Sequence, residues 1–155
     1  MKTNRKTVIT YGTFDLFHIG HLNLFRRLKE IGNYLVVGVS TDDFNQAKGK
    51  KSIIPFEQRI EIVRSIKYVD LAIPEKSWEQ KLYDVKKYKV NIFAIGEDWK
   101  GKFEFLKEYC EVLYLPRTPG ISSTDIRKLL NVLSVSKEDL LKAFEVLEQI
   151  KKNLE

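Results

Sequence analysis

A chain of 155 residues with 43% hydrophobic side chains, 4 prolines and 8 glycines has the make-up of one ordinary globular domain, large enough to bury roughly two-thirds of its unfolded surface. No apolar run approaches the ~20 residues of a membrane span, no signal-peptide pattern follows Met1, and a lone Cys110 excludes an internal disulfide, so a cytoplasmic protein is expected. The net charge of +6 is +7 in residues 1–136 and −1 in residues 137–155; the basic excess suits nucleic acid or small phosphorylated substrates and does not choose between them.

Strand-like and helix-like runs alternate along the chain, which predicts a parallel sheet covered by helices. A strand over residues 7–11 runs into GTFDLFHIGH (residues 12–21), and a helix near 19–32 closes at Gly32. YLVVGV (34–39) is a β-branched run suited to a central strand. The lysine-rich stretch from Ser40 to Ile54 has no obvious structure and reads as a mobile, functional loop. Pro55 then opens a helix with apolar residues at helical spacing, followed by a short strand over 69–73 ended by Pro74. Ser77 and Gln80 form a capping-box pattern for a helix to about Tyr88.

A buried strand over 91–95 leads into GEDWKGK, and a short helix over 103–109 precedes a strand over 111–115. PRTPG and SSTDIRKLL make one more helix start. Residues 136–154 read as a capped amphipathic helix, with Leu140, Leu141, Phe144, Leu147, Ile150 and Leu154 on one face. Packing against the sheet is its expected role, and a dimer contact the alternative. No domain boundary shows, so residues 1–155 are taken as one domain, with 131–155 a C-terminal helical extension. With the first strand central, the five strands take the order 3-2-1-4-5, and GTFD, GEDW and RTPGISS converge beyond their carboxyl ends.

Those loops carry the chemistry. Gly12 lets the backbone turn off a strand end, and Gly20 leaves room at a helix start, whose free N–H groups suit an anion. His18 and His21, three apart, share one helical face and can donate to a phosphate gaining charge in a transition state. The same pair could ligate a metal with Asp15 as a third group, but no spare histidine or second cysteine remains to complete the set. In RTPGISSTDIR, Gly120 permits a turn, Ser122 or Ser123 can cap the next helix, and Arg117 offers a fork of donors for phosphate oxygens. The KGKK run (48–51) could fold over a triphosphate, although a lysine run alone is usually a solvated loop.

GTFDLFHIGH, GEDW and RTPGISST together resemble the cytidylyltransferases, in order and spacing over residues 7–130, with YLVVGVSTDDFN, KYVDLAIPEKSWEQK and EVLYLPRTPGIS between them. The resemblance implies a Rossmann-like doubly wound α/β fold, usually a homodimer. It also implies transfer of CMP from CTP to a small phosphorylated alcohol, glycerol 3-phosphate first among the candidates, with a divalent cation such as Mg2+. CDP-glycerol and pyrophosphate would be the products, and teichoic-acid or capsule precursors their destination. Position by position, it implies that His18 and His21 contact the CTP phosphates and that Lys48 binds phosphate with help from Lys50. Arg117, Thr118, Gly120, Ile121, Ser122 and Ser123 would surround the triphosphate, and Gly12, Thr13, Phe14, Asp15 and Asp98 the nucleotide. Asp15, Lys48, Lys50, Lys67 and Trp99 are the candidates on the acceptor side, while Trp99 is equally readable as a packing aromatic.

Three departures from the family pattern stand out. Lys67 stands where close relatives have arginine before YVD, Ile53-Ile54 where they have Tyr-His, and Pro119 where they have an acid. Lysine keeps the charge of arginine but loses its planar fork, and Pro119 stiffens its turn. HxGH and ISSTDIR also occur in adenylyltransferases, so they fix the reaction class and not the base. A nucleic-acid-binding module is the reading from another class, but it lacks a basic stripe with interleaved aromatics and leaves the histidines unexplained.

Overall fold

A computed structural model describes residues 4–133 and 136–154, in two compact units, Met1–Ile121 and Ser122–Glu155. In the first unit the strands β1 (Thr7–Gly12), β2 (Tyr34–Ser40), β3 (Leu71–Glu75), β4 (Ile92–Gly96) and β5 (Glu111–Leu115) form one parallel sheet in the order β3-β2-β1-β4-β5. The expected order is the observed one. Because the central strands β2, β1 and β4 are buried on both faces, their side chains divide by parity. Val8, Leu35, Val37 and Val39 pack with Phe25, Leu28 and Val63 of helices α1 (Ile19–Ile31) and α3 (Phe56–Arg64). Ile9, Val36 and Phe93 pack on the other face with Val85 of helix α4 (Gln80–Lys87) and with Phe103 and Leu106 around a 3-10 turn, Glu104–Glu108.

β1 and β2 stay in register from Thr7–Tyr34 to Gly12–Val39. β1 and β4 share only Val8–Ile92 and Ile9–Phe93. No register pair joins their carboxyl-terminal halves, at the point where strand order reverses. Doubly wound sheets hold their ligand crevice at such a point.

Two expectations need correcting. The stretch from Ser40 to Ile54 is not structureless, because helix α2 (Asp42–Ala47) fills its first half. Thr41 caps it, its Oγ1 accepting from the Phe44 N–H at 3.2 Å, with Asp42 and Asp43 in the first turn. Pro74 lies inside β3 rather than at its end. An edge strand tolerates proline because one side of its ladder is unpaired, and β3 is the edge.

In the second unit, α5 (Ser123–Leu133) and α6 (Lys137–Leu154) follow. Ser122 caps α5, its hydroxyl accepting from the Asp125 N–H at 3.1 Å, and Ser136 caps α6 in the same way through Asp139. Leu140, Leu141, Phe144 and Leu147 on α6 are exposed. The side chains of Ile150 and Leu154 lie outside the described residues. Among the described residues no helix is long and apolar enough to cross a membrane.

Candidate active site

β1 ends at Gly12 and the chain turns through two residues with left-handed backbone, Phe14 (φ 51°) and Leu16 (φ 49°). Such conformations cost free energy in non-glycine residues and collect at functional turns. They are held here by burial and hydrogen bonds. The Phe14 ring is 4% exposed, and Asp15 is 2% exposed. The Asp15 carboxylate accepts from the N–H groups of Ile53 and Ile54 at 2.8 and 2.9 Å. Asp15 thus fastens the stretch after α2 to the turn after β1.

The turn delivers two histidines to the start of α1. His18 is the N-cap, with extended backbone, and its Nδ1 accepts from the Gly20 N–H at 3.0 Å. The His21 Nδ1 accepts from the His18 N–H at 3.4 Å, closing a reciprocal capping box. The two rings stack with centroids 3.9 Å apart, and Phe14 and Phe17 each lie 5.3 Å from the His21 ring. With each Nδ1 taken as an acceptor, the network assigns both rings the neutral tautomer, carrying the proton on Nε2. Burial agrees. It pushes the His21 imidazole down to about 3, helped by the neighbouring His18 and opposed by Asp15, and it lowers His18 as well. The pair offers two N–H donors and no positive charge. Gly20 is what allows it, since a Cβ there would stand 2.7 Å from His18 Cε1 and 2.9 Å from Nδ1.

The loops after β4 and β5 meet each other. Asp98, in a 3-10 turn over Glu97–Trp99, accepts from Arg117 Nε at 2.7 Å and also pairs with its terminal nitrogen. Both side chains are exposed at the crevice rim. The Pro116 carbonyl accepts from Arg27 of α1 at 2.9 Å, and Gly20 leaves space beside the Ile121 side chain. Gly120 is left-handed (φ 79°), as the turn it was expected to make requires. Thr118 lies half-buried in the same loop. Within the first unit the GEDW and PRTPGI segments meet through Asp98 and Arg117, and Ile121 lies beside Gly20 at the start of α1.

Lys48 is not on a free lid. Its Nζ donates to Ser40 Oγ at 3.0 Å and stands 4.2 Å from the centre of the Phe44 ring. Burial lowers its ammonium to about 8, opposed by Glu75 and aided by Lys50, Lys81 and Arg59. Lys50 reaches to 5.9 Å from the centre of Trp99, which packs 5.2 Å from Trp78. Thr13 Oγ1 donates to Asn45 of α2 at 3.1 Å, so the β1 turn and the Lys48 stretch are one assembly. Lys67 is not brought to it. It lies between α3 and the start of β3, at the opposite end of the sheet, beside Tyr68.

Four residues that sequence reading passed over complete the assembly. Arg59, fully buried, donates to the carbonyls of Thr13, Ser40 and Ile54 and to Asp42, tying β1, β2 and the α2 stretch together. A signal was present, because Phe56, Arg59, Ile60 and Val63 form one helical stripe with a charge inside it. Glu75, at the end of β3, accepts from the buried Lys81 at 2.5 Å, and Trp78 lies 4.8 Å from the Lys81 ammonium.

Residues 9–129 match the family model described as cytidylyltransferase-like. The chain is 60% identical over 123 residues to a glycerol-3-phosphate cytidylyltransferase of Bacillus spizizenii, covering 79% of this chain and 95% of that one. It is 58% identical over 125 residues to its namesake from Staphylococcus aureus, with 81% and 95% covered. A solved structure, the lipopolysaccharide core biosynthesis protein of Thermoplasma volcanium, shares the fold with a TM-score of 0.66 at 24% identity, over 74% of this chain and 99% of that one. Together with an ordered crevice of neutral histidines, lysines and arginine at the switch in strand order, these matches make the chain a member of the cytidylyltransferase-like family.

Proposed function

We propose that this chain transfers CMP from CTP to glycerol 3-phosphate, giving CDP-glycerol and pyrophosphate. The observation that carries the reading is the 55–60% identity to three glycerol-3-phosphate cytidylyltransferases, spanning 95% of each. In this reading a phosphate oxygen of the acceptor attacks the α-phosphorus of CTP, its new P–O bond forming as the bond to the bridging α–β oxygen breaks. The bond electrons leave on pyrophosphate. A phosphate monoester is mostly ionised near pH 7, so the nucleophile needs no general base. The work left to the protein is to hold two anions in line and to stabilise charge on the α-phosphate and the leaving group.

His18 and His21 would donate from Nε2 to phosphate oxygens at the positive end of the α1 dipole, whose first N–H groups are engaged by the capping box. Neutral donors keep their protons throughout, so the pair acts by hydrogen bonding rather than by acid–base exchange. Arg117, with Thr118, Gly120 and Ile121, would take the triphosphate from the other rim, and the family resemblance adds Ser122 and Ser123 on sequence grounds alone. Lys48, assisted by Lys50, would face the incoming phosphate, with Trp99 at the rim. Lys67 belongs to this site only if a second copy supplies it.

A divalent cation, Mg2+ by the usual preference of triphosphates, belongs to the same reading as a companion of the nucleotide. Among the described residues no three His, Cys, Asp or Glu side chains gather into a metal site, so a cage made of protein ligands alone does not fit. A homodimer and a cytoplasmic setting complete the proposal, and sedimentation at micromolar concentration tests the first.

The experiment is a matrix of nucleoside triphosphates against glycerol, ribitol, ethanolamine and choline phosphates, read by pyrophosphate release. CTP with glycerol 3-phosphate is expected to dominate. Turnover with ATP in place of CTP would turn the reading to an adenylyltransferase, and a salt-sensitive gel shift without pyrophosphate would turn it to nucleic-acid binding.

A further inference from the structure

Behind the crevice, between the ends of β2 and β3 and the first turn of α4, four side chains form a hydrogen-bonded chain. Lys48 Nζ donates to Ser40 Oγ at 3.0 Å, and the Ser40 hydroxyl donates to Glu75 Oε2. Glu75 Oε1 accepts from Lys81 Nζ at 2.5 Å. Glu75 is 3% exposed and Ser40 not at all, while the side chains of Lys81 and Lys48 are 1% and 10% exposed. Exposure thus rises only at the Lys48 end, where the chain of bonds meets the crevice. One carboxylate serves two ammonium groups, the nearer in direct contact and the farther at 3.9 Å.

Lys81 is walled in by aromatic faces, with Tyr11 and Trp78 at 4.7 and 4.8 Å and Phe44 and Phe103 beyond them. A buried ion pair enclosed in this way has little room to rearrange. It fixes the Glu75 carboxylate, and the carboxylate fixes Ser40.

We propose that Glu75 is the positioning residue for Lys48: through Ser40 it anchors the Lys48 ammonium at the crevice, and its ion pair with Lys81 holds the anchor still. The proposal rests on the reading of Lys48 as a phosphate-binding group and adds how that group is aimed and kept charged. Lys48 faces Glu75 from β3, Lys81 from α4, Arg59 from α3 and Lys50 from its own segment. Three of those four groups are cations. Glu75 alone opposes both burial and the cations, so it keeps the Lys48 proton in place at neutral pH. Tyr11, beside Lys81, donates its hydroxyl to Asp84 at 2.9 Å, so that carboxylate is already engaged.

Glu75→Gln keeps the shape and removes the charge. Two readouts apply: the pH profile of kcat/KM for the phosphorylated acceptor, and competitive acylation of Lys48 followed by mass spectrometry, which needs no turnover. The variant is expected to move both titrations of Lys48 to lower pH by about one unit or more, the usual effect of losing an opposite charge at this range. KM for the acceptor should rise more than kcat falls, and Glu75→Asp should recover part of the loss. Should Glu75→Gln fail to fold, Ser40→Ala cuts the chain between Lys48 and Glu75 while leaving the Glu75–Lys81 pair, and should shift Lys48 labelling in the same direction. Unchanged labelling in either variant overturns the proposal, as does an equal loss in the Gln and Asp variants that follows thermal stability alone. If the wild type releases no pyrophosphate, the functional reading fails while the labelling still decides whether Glu75 anchors Lys48.

Discussion

Replacing Gly20 by alanine should separate catalysis from stability at the histidine pair. The new methyl group would sit 2.7–2.9 Å from the His18 ring, well inside contact distance, and the ring is the movable partner. His18 must swing away, losing the bond from the Gly20 N–H that sets its tautomer and its stacking on His21. Losing the N-cap bond costs about 0.5–2 kcal/mol. Alanine for glycine in a helix returns about 1 kcal/mol. The two nearly cancel, and for a chain of this length a residual of about 1 kcal/mol moves Tm by roughly 2–4 °C. Displacing one donor from a developing charge, by contrast, lowers turnover by about 100-fold or more. The assays are thermal unfolding and steady-state pyrophosphate release, with the Gly20→Ala/His18→Ala double variant as the control. The double variant should be no slower than His18→Ala, because both changes remove one group. A Gly20→Ala protein with full turnover, or one whose defect adds to that of His18→Ala, would refute the reasoning.

Three further outcomes follow from the same geometry. Arg59→Ala leaves three buried carbonyls without their donor and should cost about 3–5 kcal/mol, read as a lowered urea midpoint; a change below about 1 kcal/mol contradicts the bracing role. His21 is held neutral by the fold, with its folded value about 3 against 6.5 unfolded, so its contribution to stability is complete above pH 6.5 and is lost as pH falls toward 3. His21→Gln should flatten the stability profile across that window, and an identical slope in both proteins argues against it. Asp98→Asn breaks an exposed pair, worth no more than about 1 kcal/mol to the fold, yet it frees Arg117; KM for CTP should change while Tm does not.

The sheet order and nearly every strand were legible because apolar strand-like runs alternate with helix-like ones, the central strand YLVVGV being the buried, β-branched case. The histidine pair was legible because HIGH places two imidazoles three apart where a strand-like run gives way to a helix-like one. α2 was missed for a physical reason: it is a six-residue helix held by the Thr41 cap and the Arg59 braces rather than by an apolar stripe. Glu75 and Lys81 were missed because neither has any local partner, and only the β3–α4 turn brings them together. Lys67 was placed by family resemblance alone, and the fold sends it to the far end of the sheet. Asp15, expected beside the nucleotide, also holds the N–H groups of Ile53 and Ile54, a bracing role the sequence did not show. Sequence carries the elements and their motifs more readily than the polar braces between them.

The most direct test of the central claim is 15N NMR of the His18 and His21 imidazoles during titration with a non-hydrolysable CTP analogue at pH 7. Both rings should show a neutral ring protonated at Nε2, with Nε2 shifting on binding and Nδ1 staying bonded to the backbone. Imidazolium signals, the opposite tautomer, or rings untouched by the nucleotide would contradict the account.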